Sequence, residues 1–240
     1  GQGAARALLD ALEQWAARPE NAAYTDVLPE IRAISGQRRE GFAGEFLLEN
    51  LGSAGSLLGV AIDLVRRARE AKKPDLERLA GYMDRDRKRL RDRVERRLRD
   101  FDLEVDVQLL AALLARAAAL PPEARIAALE PLLAGTAGQR EAFVPAARKL
   151  LAASKLGAKD TTLALLEADE ETLARSRDPV LALATQLAPA LEALDARNEA
   201  RSGRGLRVGP RYFTMLRTVR DGPVYPDANG TLRFSYATVG

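Results

Sequence analysis

The fold is decided by the stretch GPVYPDANGTLRFSYATVG, residues 222–240, because the sequence pattern changes there. Its first half is rich in Pro, Asp, Asn and Gly, which are residue types that form turns. From Thr231 the side chains alternate, so that Leu232, Phe234 and Tyr236 fall on one face of a predicted strand. A lone strand leaves its backbone N–H and C=O groups unpaired. We therefore expect this strand to belong to a sheet that the preceding residues do not supply.

The residues before this stretch have the composition and the periodicity of helices. Ala, Leu, Arg and Glu dominate, and all four favour helix. Leu8, Leu12 and Trp15 recur at spacings of four and three, which places them on one helix face. The same reasoning predicts helices over residues 4–18, 24–51, 56–71, 84–100, 105–120, 123–133, 141–154, 160–167, 170–175, 178–202 and 210–220. The predicted fold class is mainly α, an irregular multi-helix domain that ends in a short β-strand.

Three details of these helices depend on particular residues. Phe42 and Phe46 continue the apolar stripe of the second predicted helix, so we expect them to face the core. Asp178-Pro179 has the pattern of an N-cap followed by the first helical residue, and it predicts the start of the last long helix. Gly203 and Gly205 are expected to break that helix, because glycine loses more conformational freedom than any other residue.

The composition excludes several kinds of site. The chain has 240 residues, 47% hydrophobic and 30% charged, which is enough to bury a sizeable core. No apolar run approaches the roughly 18 residues of a membrane-spanning helix, so no span is predicted. The chain has no Cys and no His. It therefore lacks the usual zinc ligands and the imidazole of a Ser-His-Asp triad, and we predict no metal or other cofactor.

The most charged stretch is residues 84–100, which contain nine basic and five acidic residues. One interpretation is a basic patch for nucleic acid or for an acidic peptide. The other is a solvated helix face crossed by pairs such as Arg91–Glu95 and Asp92–Arg96. The interleaved acids favour the second interpretation. A net charge of only +3 and 5% aromatic residues also argue against nucleic-acid binding, which requires concentrated cations and, for single strands, stacking rings.

Three carboxylates form a possible acid–base group on the second predicted helix. Glu40, Glu45 and Glu49 lie on the same segment, and paired carboxylates are able to donate and accept protons. Glu45 and Glu49, four residues apart, face the same way. We favour a solvated face, or ion pairs with the neighbouring Arg38 and Arg39, over a catalytic role.

Other candidate residues are expected to be structural. Gly52-x-x-Gly55 precedes a predicted helix and resembles an anion cradle, but no Lys-Ser or Lys-Thr follows, so we favour a hinge or tight packing. Asp227 and Asn229 are expected to hold a turn. No serine has the sequence setting of a nucleophile or an available base. The serines are Ser35, Ser53, Ser56, Ser154, Ser176, Ser202 and Ser235.

The stretch that decides the fold also carries a family resemblance. Residues 224–240, VYPDANGTLRFSYATVG, resemble the segment with which bacterial serine dipeptidyl peptidases of the VII and XI type return from a helical domain to their second β-barrel. Residues 190–220 resemble the helices that precede this segment. GSLLGVAIDLVRRAREAKKPD (55–75) and GYMDRDRKRLRDR (81–93) resemble the middle of the same domain. Gly230 departs from the family pattern, in which Ser is more usual.

The resemblance implies a division of the chain and an activity. Residues 1–221 are expected to form an α-helical cap domain, and residues 222–240 a linker and the first strand of an incomplete chymotrypsin-like β-barrel. Family members release dipeptides from the free N-terminus of oligopeptides, and the cap limits how much substrate the active-site cleft holds. Their catalytic His and Asp precede the helical domain, their Ser follows it, and an Asn before residue 1 anchors the substrate amine. We therefore assign no catalytic residue within residues 1–240 and identify no substrate-binding residue.

The resemblance also implies a secreted or periplasmic enzyme without a cofactor, whose partners are oligopeptides and neither nucleic acid nor a membrane. Family members are often homodimers, here through parts outside the chain. The alternative is a non-catalytic α-helical interaction module whose terminal strand extends the sheet of a partner. A nucleic-acid-binding protein is the third hypothesis, and a salt-dependent mobility shift on duplex DNA would support it.

Overall fold

The computed structural model describes residues 2–53, 55–136 and 138–220, and these residues form helices joined by turns and short 3-10 helices. The helices are α1 (Gln2–Ala16), α2 (Val27–Asn50), α3 (Ser56–Glu70), α4 (Arg87–Arg99), α5 (Leu103–Ala118), α6 (Glu130–Leu133), α7 (Arg140–Ala152), α8 (Lys159–Ala164), α9 (Glu170–Ala174) and α10 (Pro179–Val219). The predicted mainly α class is confirmed. The strand predicted at residues 231–236 lies outside the described residues.

The chain divides into two compact units, one of residues 1–38 and 199–240 and the other of residues 39–198. In the first unit α1, the start of α2 and the end of α10 share a small apolar core. Its buried side chains are Leu12, Ala16, Val27, Leu28, Val208 and Met215. Trp15 and Tyr24 pack edge to face beside it, with ring centroids 5.1 Å apart. Surface ion pairs, Arg204 with Glu30 and Arg211 with Asp26, lie around this core.

The predicted break at Gly203 and Gly205 is wrong, because α10 is continuous from Pro179 to Val219. Val208 and Met215 recur at helical spacing and are buried in the core of the first unit. Burial of this stripe outweighs the roughly 1 kcal/mol per residue by which glycine disfavours helix.

The second unit is built on α3, which is buried almost all round. Leu57, Leu58, Val60, Ala61, Leu64 and Val65 of this helix are each at most 2% exposed. α4 packs against one side of α3, and α5 packs along α7, where Phe143 is fully buried. Asp178 caps the start of α10, as predicted, by accepting hydrogen bonds from the backbone N–H groups of Val180 and Leu181. These contacts fix the helices that carry the charged residues described below.

The predicted burial of Phe42 and Phe46 is wrong. Their side chains are 63% and 48% exposed, and their rings stack on each other with centroids 5.7 Å apart. Gly44 lies against the backbone carbonyl of Ala124, so the buried face of α2 passes through Gly44 and Leu48 in this unit. The two phenylalanines lie on the exposed side of the same helix.

The range 123–133, predicted as one helix, is instead two 3-10 helices followed by α6. Ile126 between them has an extended backbone, and Pro131 in α6 has no N–H to donate. Of the helices in the described part of the chain, none alone has the length and hydropathy to cross a membrane. The bent pair Pro19–Ser53 and Ser56–Glu70 passes that test together by length and composition only.

Candidate functional site: a basic cleft beside α4

A buried carboxylate, Asp63 of α3, organises the polar contacts at the base of α4. Its side chain is 8% exposed. Arg93 of α4 donates two hydrogen bonds to it, Nε to Oδ2 at 2.9 Å and Nη2 to Oδ1 at 2.8 Å. The hydroxyl of Tyr82 donates a third to Oδ1 at 2.9 Å, and the Arg93 guanidinium carbon lies 5.6 Å from the centre of the Tyr82 ring. This network fixes Tyr82, which precedes α4, against both helices.

A cleft of about 390 Å³ opens next to Tyr82, between α4, the end of α3 and the segment after α8. Tyr82, Leu90 and Leu166 supply apolar surface. Five basic side chains and two acidic ones supply its charge. They are Arg67, Arg78, Arg87, Lys88, Arg91, Asp84 and Glu167. The formal charge of the lining is therefore five minus two, or +3.

All seven of these charged side chains are engaged in ion pairs. Arg67 and Arg87 both contact Oε2 of Glu167, from their Nη2 atoms at 2.9 and 2.7 Å. Arg67 also donates to the backbone carbonyl of Ala168 at 3.1 Å, which fixes its guanidinium at the cleft wall. Arg78 pairs with Asp84 at 2.9 Å, and both residues also line the cleft. A single carboxylate oxygen thus receives charge-assisted contacts from two guanidinium groups.

The helix-face interpretation of residues 84–100 is confirmed in part. Arg91 pairs with Glu95 at 3.2 Å, as predicted. Asp92 pairs instead with Lys88, on the preceding turn, at 3.6 Å, so the predicted Asp92–Arg96 pair is wrong.

Comparison with known proteins identifies the family. The family model described as Peptidase S46 matches residues 3–240. The chain belongs to the peptidase S46 family. It is 31% identical over 218 residues to the Asp/Glu-specific dipeptidyl-peptidase of Shewanella putrefaciens (strain CN-32 / ATCC BAA-453). The aligned region covers 89% of this chain and 29% of that relative, so the chain spans under a third of the length of the relative it matches.

In this S46 chain, a side chain of the protein itself binds the backbone N–H groups that follow the Gly52-x-x-Gly55 turn. The carboxylate of Asp106, on α5, accepts hydrogen bonds from the backbone N–H groups of Ser56 and Leu57, each at 3.0 Å. Gly55 has φ +138°, and a Cβ there would lie 3.0 Å from that carboxylate. The start of α3 therefore carries an internal carboxylate where an anion would bind, as the tight-packing interpretation requires.

The carboxylates of α2 bind α10. Glu45 contacts Nε of Arg197 at 3.1 Å, and Glu49 accepts from Nδ2 of Asn198 at 3.4 Å. Glu45 and Glu49 thus contact residues from a distant part of the sequence, and Glu40 is exposed, as the solvated-face interpretation expects. These contacts join α2 to α10 within the second unit.

The serines of the described residues show no nucleophile–base pair. Ser154 has an acidic neighbour, and its hydroxyl donates to Asp178 at 2.9 Å. That carboxylate also caps α10, so the contact is structural. Within residues 2–53, 55–136 and 138–220 no group of three acidic, His or Cys side chains is placed to bind a metal ion. Ser235, Asp227 and Asn229 lie outside the described residues.

Tyr82 is half-buried, and the desolvation of its hydroxyl predicts a pH dependence of stability. Desolvation, and then the negative charge of Asp63, raise the pKa of Tyr82 well above its ordinary value of 10.0. The unfolded chain loses this proton near pH 10, whereas the folded chain retains it. The stability contributed by the protonated side chain is therefore complete below pH 10 and is lost as the pH rises above it.

We expect the free energy of unfolding to fall between pH 9 and pH 11 by about 1.4 kcal/mol more in the wild type than in Tyr82→Phe. Urea titrations at both pH values measure this difference. Tyr82→Phe also loses the hydrogen bond to Asp63, but that loss is present at both pH values and cancels. An equal pH dependence of the two proteins would contradict the desolvation of the Tyr82 hydroxyl.

Proposed function

We propose that this S46 chain is the helical cap of a serine dipeptidyl peptidase that removes dipeptides from the free N-terminus of oligopeptides. The observation that carries the proposal is the match of residues 3–240 to the family, together with 31% identity to a dipeptidyl-peptidase of which the chain spans 29%. The sequence contains no His, so the imidazole of a catalytic triad has to come from another part of the full-length protein.

A helical cap explains why such an enzyme would release dipeptides. An endopeptidase cleft is open at both ends. A rigid body over one end leaves room for two residues before the scissile bond and excludes chains that continue past them. Binding energy at the terminal amine then fixes which peptide bond lies at the nucleophile. The tightly packed core around α3 gives the second unit the rigidity that this role requires.

The same proposal includes the setting of the enzyme. We propose a periplasmic or secreted protein that binds oligopeptides and uses no cofactor. Contacts between subunits would be made by parts outside this chain. Neither nucleic acid nor a membrane is proposed as a partner.

The test is cleavage of matched peptides by the full-length protein. We expect dipeptide release from an octapeptide with a free N-terminus and none from the same peptide after N-acetylation. Mass spectrometry of the products measures both, and a serine-directed organophosphorus reagent should abolish the release. Equal cleavage of the two peptides would contradict the proposal, because it would show that the terminal amine is not recognised.

One observation favours the alternative, a non-catalytic interaction module. Phe42 and Phe46 form an exposed stacked pair, and exposed aromatic pairs are common at protein interfaces. A full-length protein that released no dipeptide from any free peptide would support this alternative.

A further inference from the structure

We propose that a second opening, beside the start of α4, binds the phosphate group of a small soluble ligand. The opening has a volume of about 580 Å³ and is lined by Ala80, Gly81, Arg85, Asp86, Arg89 and Arg93. It shares no lining residue with the basic cleft. The inference does not rest on the proposed function, because no peptide takes part in it.

Unpaired cations are the first observation. Arg85 and Arg89 make no ion pair with any residue that the structure describes, whereas the five basic side chains of the cleft are all paired. The two arginines line the same opening and lie four residues apart in the sequence. Two uncompensated positive charges around one concave surface attract anions and raise their local concentration.

The position of the cations on α4 is the second observation. The first turn of this helix holds Arg87, Lys88 and Arg89 and no acidic side chain. Arg87 and Lys88 contact the carboxylates of Glu167 and Asp92, but Arg89 is paired with no described carboxylate. The helix dipole disfavours cations at this end. Helix stability therefore does not account for Arg89, and a bound anion would compensate its charge.

Arg93 supplies a third guanidinium group, whose orientation is already fixed. Its Nε and Nη2 atoms bind the buried Asp63, and its side chain is 34% exposed. Its Nη1 atom lies 3.9 Å from the position that a Cβ on Gly81 would take. Gly81, which has φ +91°, adds no side chain over this guanidinium. Arg93 thus brings a preorganised donor group to the lining of the opening.

The charges of the lining favour a phosphate over a carboxylate. A phosphate monoester carries a charge of about −1.5 to −2 near pH 7 and three acceptor oxygens, which match two unpaired guanidinium groups. A carboxylate carries a single charge and two oxygens. Asp86 is the acidic residue of the lining, but it is buried, and its Oδ2 atom accepts the N–H of Gly81 at 3.0 Å. The formal charge of the lining is three minus one, or +2.

Chemical modification of the arginines tests the proposal on the full-length protein. Phenylglyoxal modifies guanidinium groups, and peptide mass spectrometry measures the rate at each arginine. Inorganic phosphate at twice its Kd should slow the modification of Arg85 and Arg89 about three-fold, because mass action then leaves about a third of the sites free. Sodium chloride replaces phosphate at equal ionic strength in the reference sample. Arg96 is exposed on the same helix and lies outside the opening, so its rate should not change.

Matched substitutions separate a binding site from diffuse charge. Arg89→Gln should weaken phosphate binding about two- to five-fold, measured by the protection of Arg85, because it removes one exposed cation of the opening. Arg96→Gln removes the same charge from the same helix and should leave this protection unchanged. An equal loss in both variants would overturn the proposal, because it would show that the net charge of α4, rather than the opening, attracts the anion.

Further ligands test the chemical class. Methyl phosphate should protect Arg85 and Arg89 as inorganic phosphate does, and acetate at the same ionic strength should not. Equal protection by acetate would overturn the preference for phosphate. Protection by vesicles that contain phosphatidic acid, with none by soluble phosphate, would overturn the proposal as well, since the anion would then be recognised only as part of a membrane surface.

Discussion

Replacing Asp63 with alanine should lower the free energy of unfolding by about 2–4 kcal/mol, the range for breaking a mostly buried ion pair. The substitution removes the acceptor of three hydrogen bonds, two from Arg93 and one from Tyr82. The side chain of Arg93 is 34% exposed, so water compensates part of the loss, and we expect a smaller effect than for a fully buried pair. Denaturant unfolding of the wild type and the variant measures the difference.

Two further variants identify the cause of that loss. Asp92→Ala removes an exposed carboxylate that faces Lys88 at 3.6 Å, and we expect a change within about 0.5 kcal/mol. The double variant Asp63→Leu/Arg93→Leu should recover part of the stability, because no charge is then left without its partner. A loss in Asp63→Ala no larger than that in Asp92→Ala would contradict the central role of this carboxylate.

Sequence reasoning predicted the helices well where a local signal marks them. The N-cap of α10 followed from Asp178-Pro179, because a capping side chain acts on backbone groups two and three residues away. The period of apolar residues likewise predicted α1, α3 and α5 within a few residues of their observed bounds. These features depend on neighbours in sequence.

Features that depend on distant residues were not predictable in this way. Phe42 fits the apolar stripe of α2 by spacing, but the buried face is decided by what packs there, and Gly44 lies against Ala124. Gly205 disfavours helix locally, but burial of Met215 on the same helix outweighs it. Neither effect can be predicted from local sequence, because both depend on contacts between residues that are distant in the chain.

Only part of the candidate site could be predicted from the sequence. The basic character of residues 84–100 follows directly from their composition. An acidic peptide was one of the two ligands that the sequence analysis named for a basic patch there. The concave site also requires Arg67 and Glu167, which are a hundred residues apart and meet only in the folded chain. Glu167 gave no signal of its own, because a lone exposed glutamate is typical of any solvated surface.

The second large effect concerns Gly59, where we expect Gly59→Ala to cost about 2–4 kcal/mol of stability. A Cβ at this buried position on α3 would overlap the guanidinium of Arg97, which donates a hydrogen bond to the carbonyl of Gly52. It would also lie 2.5 Å from that carbonyl oxygen, which belongs to the backbone and cannot rotate away. Thermal and urea unfolding measure the loss.

Gly205→Ala is the matched control, because nothing lies within 4 Å of the Cβ that it adds to α10. Alanine favours helix over glycine, so this variant should be stabilised by about 0.5–1 kcal/mol. The two substitutions make the same chemical change with opposite expected signs, and the difference between them isolates the close approach at Gly59. In the Arg97→Leu background Gly59→Ala should still destabilise, since the carbonyl of Gly52 remains in place. A neutral or stabilising effect of Gly59→Ala in that background would show that side-chain overlap alone, rather than backbone approach, restricts this position to glycine.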